Sequence, residues 1–595
     1  MRVMAIIVED TATINRQTPV ELRRARWLWA LRALAVLAGV IALARVASTI
    51  GTFNNTVDEP YNISAAVGLY DVHKLVSGIE QPPVARLVAA IPLYLSGVHL
   101  RAADRRTTVV GSLETYAQGD DELFHSAVPP EVILHRVRLV MLVFPVLALL
   151  YLCSLGRWLV GEIPTLWAVV FFSNDPTFLG HAMWICTDMA SCAAYLAAAY
   201  YGMRWILYRG SGRAACAGVA VALAFSAKFS CIIIVPAMAA LMVLRPIPHM
   251  IATRKWNWKM LFVRWPRLWE IAIFAVVAFF AVWATYLFNI GTLGDQTAFA
   301  ADAVQLHATS KAMPHWLESI PIPMPSLLLG LRTLIRHMHG GHLAFLNGQF
   351  RTRGWWYYFP EALLLKSPLA FLAGLLIAGV LLFKRPRPQL ITAMALLLPP
   401  ALFMASAMKG RVDIGIRHIL PVIPFLYLII SAQLVRTRLT PVLMMLICVA
   451  YVETAATHPD YASYFNIAAG GEAAGGRYLS DSNVDWGQYV RRLSIWLHKP
   501  EQLGKPYTTR LLLLPVDPIM REYQLDPQAE SRRPGGLFCI SQVEEQGLPA
   551  KSYENPYAPA VAKDYSWLKP YPIVARIGAV DVYDLMAPPQ GQQAR

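Results

Sequence analysis

Apolar runs near or above membrane-spanning length recur from residue 28 to residue 456, and nothing else constrains the fold of this chain as strongly. Crossing the hydrocarbon core of a bilayer takes about 20 apolar residues of helix. Within lipid every backbone polar group must be satisfied internally, so such runs have to be helical. They fall at 28–50, 139–155, 165–179, 186–207, 214–227, 231–244, 271–290, 362–383, 390–407, 419–435 and 441–456. The expectation is a mainly α, polytopic membrane protein of about eleven transmembrane helices, the 214–227 piece being short for a full crossing. With 56% hydrophobic and 15% charged residues the chain is excluded from the disordered class and fits poorly with a soluble globule.

The net charge of +15 is explained by where the basic residues lie. Arg23, Arg24, Arg26 and Arg32 precede or open the first run. Arg209 and Arg213, then Arg245, Arg254, Lys255, Lys259, Arg264 and Arg267, then Lys384, Arg385 and Arg387, and last Arg436 and Arg438 occupy alternate short loops. That is the positive-inside bias, which places the N-terminus in the cytoplasm and leaves no call for a nucleic-acid partner. Residues 1–27 then form a cytoplasmic segment. Residues 28–457 form a transmembrane domain with large outer loops at 51–138 and 291–361. Residues 458–595 lie outside as a small α/β domain, with strands expected at 509–515, 536–541, 573–577 and 579–585 and a helix near 489–497. The first run has no small-residue cleavage site after it and is expected to be retained. Seven cysteines show no metal spacing and no disulfide framework.

This topology puts most polar groups capable of chemistry on the outer side, in the inner (plasma) membrane of a cell, facing the periplasm or exterior. Asp58, Glu59 and Glu80 follow the first run in a loop held by Pro60, Pro82 and Pro83. Carboxylates at a membrane edge mark substrate or ion sites, against the alternative of a solvated acidic turn. His181 and Asp188 flank A-M-W-I-C-T, where Asp188 also suits a helix start. Lys228 interrupts an apolar stretch and needs an anion or a route to the surface. His337, His339 and His342 resemble a metal cluster, although the intervening glycine pair argues for a turn. Arg351, Arg353, Trp355, Trp356, Tyr357 and Tyr358 suit either an interface belt or sugar stacking with phosphate pairing. Arg417 and His418 open a run on the outer side, where a guanidinium fits bidentate phosphate contact. Asp481, Asn483 and Asp485 imitate a calcium loop, but Trp486 stands where that loop needs glycine and Arg492 where it needs glutamate. The glycines of 470–476 follow no strand and lack the phosphate-loop lysine.

The stretches D-E-P-Y-N, E-Q-P-P-V, S-N-D-P-T-F-L-G-H…T-D, G-W-W-Y-Y-F-P-E-A-L-L-L-K-S-P, I-G-I-R-H-I-L-P and H-P-D-Y-A-S-Y-F-N…D-S-N-V-D-W-G-Q occur in that order. Together they resemble the bacterial branch of the protein O-mannosyltransferase family within the GT-C glycosyltransferases, relatives of the lipid A aminoarabinose transferases. The resemblance runs from about Asp58 to Leu585. It implies an enzyme that takes a sugar from a polyprenyl-phosphate donor on the outer face, with Asp58 as catalytic base and Glu80 as the E-x-P-P glutamate. Asn62 and Gln81 stand where many relatives have histidine, so no contact carries over at those two positions. The lumenal repeat domain of the eukaryotic enzymes is not evident, which weakens the case for a protein acceptor.

An acceptor hydroxyl needs a carboxylate to take its proton. The departing polyprenyl phosphate needs cations more than an acid. In this scheme Asp58 is the base, and Glu59 and Glu80 position substrate or a divalent metal ion. Asp188, Lys228, His342, Arg353, Trp355, Tyr357, Lys366, Arg417 and His418 complete the substrate-binding candidates, with Lys228, Lys366, Arg353 and Arg417 for the phosphate. A single displacement inverts C1. The acceptor, a hydroxyl of a glycan, lipid or protein, stays open. The alternatives are a transporter or lipid-linked-sugar flippase, disfavoured by the absence of an internal repeat, and a non-catalytic outer-face scaffold.

Overall fold

A computed structural model describes residues 19–101, 112–247, 250, 253, 265–294, 319–384, 390–512, 516–530, 535–547 and 564–587. Arg254, Lys255, Lys259, Arg264, Arg385 and Arg387, residues 295–318 of the 291–361 loop and residues 513–515 of the 509–515 strand lie outside the described residues.

The chain is a mainly helical, multi-pass membrane protein. Among the described residues five helices are long and apolar enough to cross a membrane: Ala25–Thr49, Pro130–Leu159, Leu268–Thr285, Ile391–Lys409 and Ile416–Arg436. A sixth is obtained if Tyr358–Lys366 and Leu369–Leu382, bent by 119°, count as one span. Shorter apolar helices include Glu162–Phe172, Ser211–Ala227, Phe229–Leu244 and Thr440–Ala456. The expected runs are therefore helical, but fewer than eleven meet the length and hydropathy of a complete crossing. The physical reason is visible at each break. In the 165–179 run Asp175 accepts a hydrogen bond from the Phe178 amide at 2.9 Å and from the Tyr427 hydroxyl at 2.8 Å, starting a new helix at Pro176. In the 362–383 run Pro368 follows the bend, since proline disfavours helix in the residue before it. Apolar side chains that face away from the protein, such as Val40, Ile41, Val276, Phe279, Phe280, Met445 and Val452, are what lipid as solvent permits.

Past the first span, helix Asp58–Asp71 lies against helix Ser112–Phe124. The approach is so close that a Cβ on Gly119 would stand 1.9 Å from the Pro60 carbonyl oxygen, and only glycine fits there. At the other end of the chain, four strands form a mixed sheet in the order Tyr507–Arg510, Leu537–Ser541, Val580–Asp584, Ile573–Ile577. The first pair is parallel, with Thr509 opposite Cys539, and the others are antiparallel, with Cys539 opposite Val582. Of the expected strands, 573–577 has the bounds expected, 536–541 and 579–585 are each slightly shorter, and the first begins two residues early at Tyr507 and ends at Arg510; the expected helix is Val490–Leu497. The segment that leads into this region is packed against the helices: Tyr461, Phe465, Val484 and Trp486 belong to the same apolar core as the spans. Asn466 donates to the Ser367 carbonyl at 3.0 Å, tying that segment to the bend.

Candidate functional site

Two helices begin on an aspartate, and both aspartates meet one arginine. Asp58 opens Asp58–Asp71 and Asp188 opens Asp188–Tyr208, positions where a helix dipole favours a carboxylate. Arg417 sits in the tight turn Ile416–Val422 that leads into Ile423–Arg436. One of its terminal nitrogens lies 3.1 Å from Asp58 Oδ2 and 3.5 Å from Asp188 Oδ2. Lys228, at the break between Ser211–Ala227 and Phe229–Ile233, brings Nζ to 2.6 Å from Asp188 Oδ1. Three of the helix ends that meet here, those of Asp188–Tyr208, Ser211–Ala227 and Ile423–Arg436, lie opposite the ends at Arg209, Arg213 and Arg436, so the site occupies one end of the bundle.

The loop 481–488 fixes this arrangement. Asn483 Oδ1 accepts from the Ile416 amide at 3.0 Å, just before Arg417. The Trp486 ring lies under the Arg417 guanidinium, 4.1 Å from its carbon. The Trp486 carbonyl accepts from the Val57 amide at 2.8 Å, just before Asp58. Tyr116 donates to Asp58 Oδ1 at 3.2 Å, so both oxygens of that carboxylate are oriented. Asp188 is 2% exposed at its side chain, whereas Asp58 is 20% exposed and forms the open side of the cluster. Three buried nitrogens around it have no hydrogen-bond partner: Arg417 Nε, His418 Nε2 and His181 Nε2. His181 Nδ1 donates to the Thr177 carbonyl at 2.9 Å, and burial pushes the imidazole down to about 4, so its Nε2 presents a lone pair.

Asp58, Asp188, Lys228 and Arg417 are thus brought together, with His418 beside them. Glu59 is not. It is fully buried, pointing away, with its two oxygens 2.9 and 2.6 Å from the Arg138 guanidinium and a further bond from the Thr56 amide at 2.8 Å. Glu59, expected to position substrate or a metal ion, is engaged here by Arg138 and the Thr56 amide. Lys366 is likewise buried. It donates to the Ala462 carbonyl at 2.8 Å and to the Asn483 carbonyl, and lies over the Phe465 ring, a backbone tie at a position expected to meet phosphate. Glu80 accepts from the Tyr61 hydroxyl, and the Tyr61 ring packs on Tyr116 at 4.9 Å, placing Glu80 at the flank of the site.

The aromatic belt divides. Trp355 is buried, its amide donating to Asp413 Oδ2 at 2.7 Å with the Arg351 guanidinium 5.1 Å from its ring, while Arg353, Trp356 and Tyr357 are exposed. His342 bonds the Leu343 carbonyl through Nδ1 at 2.9 Å, and its ring lies 5.5 Å from that of His337. Among the described residues no three His, Cys, Asp or Glu side chains converge as a metal ligand set. With Glu59 held by Arg138 and Asp58 by Arg417, the carboxylates of the first loop do not fit a preformed divalent site.

Sequence reasoning missed Arg138, Tyr116 and Trp486. Arg138 was open to detection as an arginine inside an apolar helix, which demands a buried anion. Trp486 stands in the sequence as the residue that spoils a calcium loop and as part of D-S-N-V-D-W-G-Q, with nothing in either to place it under Arg417.

The fold and site define a multi-pass membrane protein with a mixed-charge centre at converging helix ends. No family model matches the chain and no curated protein matches it. Among solved structures it is similar to ArnT from Cupriavidus metallidurans bound to undecaprenyl phosphate, at 12% identity and a TM-score of 0.44 over 92% of this chain and 97% of that one. The same protein in the apo state gives 12% identity and a TM-score of 0.44 over 93% and 98%. The Archaeoglobus fulgidus oligosaccharyltransferase in complex with Zn and sulfate gives 12% identity and a TM-score of 0.36 over 79% of this chain and 56% of that one.

Proposed function

We propose that this protein transfers a sugar from a polyprenyl-phosphate-linked donor to an acceptor hydroxyl on the outer face of the membrane, with inversion at C1. The observation that carries the reading is the Asp58–Arg417–Asp188–Lys228 cluster, with Asp58 at its open side. The donor class is the one that the sequence motifs imply.

Asp58 takes the proton of the acceptor hydroxyl as its oxygen attacks C1. The C1–oxygen bond to phosphate breaks, and the phosphate leaves with one more negative charge than it carried as a diester. Charge at the centre stays balanced throughout. Before reaction two carboxylates match one ammonium and one guanidinium. As Asp58 becomes neutral, Arg417 is released from it at the moment the phosphate needs a cation. Lys228, Arg417 and His418 are the groups placed to hold that phosphate, and the unpartnered Arg417 Nε and His418 Nε2 are the atoms that would meet it. Asp188 holds Lys228 and Arg417 in position. No step needs a metal ion.

Deleting the gene and profiling the envelope by mass spectrometry tests the reading. It expects one lipid-linked sugar to accumulate and one glycosylated product to vanish. An unchanged profile of both, with the protein shown to be expressed in the parent strain, refutes it.

A further inference from the structure

The C-terminal sheet reaches the proposed centre through Asp485. Strand Leu537–Ser541 ends on Ser541, fully buried, whose hydroxyl donates to Asp485 Oδ2 at 2.5 Å. The other oxygen of Asp485 accepts from the Gly487 amide at 2.8 Å, and the residue is buried. Trp486 stands between these two bonded residues, and its own amide donates to Gln488 Oε1 at 2.7 Å. Gly487 is confined from the sheet side as well. Its φ is +85°, and a Cβ there would stand 2.7 Å from the Leu512 carbonyl oxygen, so only glycine fits. Leu512 follows strand Tyr507–Arg510, which pairs with Leu537–Ser541. Two neighbouring strands thus set where the Trp486 backbone lies.

Trp486 in turn touches both members of the Asp58–Arg417 pair. Its carbonyl holds the Val57 amide, next to Asp58, and its ring supports the Arg417 guanidinium. Neighbouring rings hold the indole: His181 lies at 6.2 Å and Trp184 at 6.4 Å, and Trp184 is itself 4.7 Å from the Arg138 guanidinium carbon.

We propose that the C-terminal sheet positions Arg417, with Asp485 and Trp486 as the positioning residues that carry the restraint. Its effect falls at the moment of transfer. A carboxylate holds a guanidinium only while it is charged, and Asp58 loses its charge on taking the proton. An aromatic face attracts a cation whatever the state of the neighbouring acid. With Trp486 beneath it, Arg417 stays in place as charge develops on the phosphate, rather than turning to water. The competing reading is a tie between loop and sheet that leaves Arg417 unaffected, in which any apolar side chain of similar size can replace the ring. The consequence for rate rests on Asp58 and Arg417 being the transfer centre; the restraint on Arg417 does not.

Full-length protein in detergent micelles is treated with phenylglyoxal, which modifies accessible guanidinium groups, and the rate at Arg417 is read by peptide mass spectrometry. Arg417 is 8% exposed, so the wild type should react slowly. Trp486→Leu should raise that rate at least about tenfold. Asp485→Asn and Ser541→Ala should each raise it at least about threefold. Trp486→Phe, which keeps an aromatic face, should restore most of the protection. Arg86, fully buried, reports whether the fold is intact and should stay unmodified throughout. Ser541→Ala removes a single hydroxyl and carries the test if Trp486→Leu exposes Arg86. In parallel, single-turnover transfer is measured for Trp486→Leu, Arg417→Ala and the double variant, and the loss from Trp486→Leu should vanish once Arg417 is gone. A wild type that transfers no sugar refutes the proposed function, and the reactivity of Arg417 still decides this inference. Arg417 as slow to react in Trp486→Leu and Ser541→Ala as in the wild type overturns it. So do equal rates in Trp486→Leu and Trp486→Phe, or additive losses in transfer.

Discussion

Replacing Glu59 by glutamine should unfold this protein rather than impair its chemistry. Glu59 and Arg138 are both 0% exposed at their side chains and joined by bonds of 2.6 and 2.9 Å. Arg138 also donates to the carbonyls of Ile50, Phe53 and Asn54 at 2.8–3.0 Å, so it cannot swing out to find water. Glutamine removes the anion and leaves a fully buried guanidinium uncompensated, a loss of about 3–5 kcal/mol. Total stability is typically only about 5–15 kcal/mol. The neighbouring change Asp58→Asn acts on a partly exposed side chain and keeps one acceptor oxygen, for Tyr116, while Arg417 keeps the Asp188 carboxylate. Its cost should be about 1 kcal/mol or less. The assay is the fraction of monodisperse protein surviving a series of heating steps in detergent, followed by donor affinity per folded molecule. Glu59→Gln should lose most folded protein at temperatures that Asp58→Asn survives, with the remaining folded molecules binding donor normally. A heat-resistant Glu59→Gln with weakened donor affinity would refute the structural assignment and restore Glu59 to the site.

Arg417→Ala should weaken donor binding and turnover well beyond Arg436→Ala, because Arg417 bridges Asp58 and Asp188 whereas Arg436 ends the same span on the far side; equal effects with purified lipid donor would remove Arg417 from the centre. Lys366→Met should lower the thermal midpoint through the lost bonds to the Ala462 and Asn483 carbonyls, and leave donor affinity per folded molecule intact; a selective loss of donor affinity would contradict this. Asp413 has a folded-state value raised from 3.8 to about 6, so its contribution to stability is fully present below about 3.8 and lost as pH rises to about 6. Asp413→Asn should flatten that part of the stability curve, and an unchanged slope between those values would show that Asp413 is not buried as described.

Much of the helical architecture was legible because lipid makes hydropathy a direct reading of backbone state. The breaks were less so. Asp175 and Pro368 interrupt runs that look continuous on a hydropathy scale, since a cap and a bend are set by single residues and their partners. At the site, Asp58, Asp188, Lys228 and Arg417 could each be singled out as charges at the edge of an apolar run. Their convergence could not, because Asp58 and Arg417 lie 359 residues apart and one-dimensional spacing says nothing of that contact. Adjacency also misled: Asp58 and Glu59 are neighbours in sequence, yet consecutive helical positions point about 100° apart, and one faces the opening while the other faces Arg138. Lys366 shows the same limit from the other direction, a lysine in a motif whose ammonium turns inward to carbonyl groups.

The central claim is that Asp58 takes the acceptor's proton, and single-turnover transfer by well-folded Asp58→Asn tests it most directly. Asparagine keeps the shape of the side chain and accepts from Tyr116, but it cannot accept a proton. A positioned base contributes on the order of 10²–10⁴ in rate. The account predicts that the rate constant for sugar transfer falls by about that factor while the lipid donor binds to the variant as it does to the wild type. A normal transfer rate in the folded variant would contradict it and make the Asp58–Arg417 pair a structural contact.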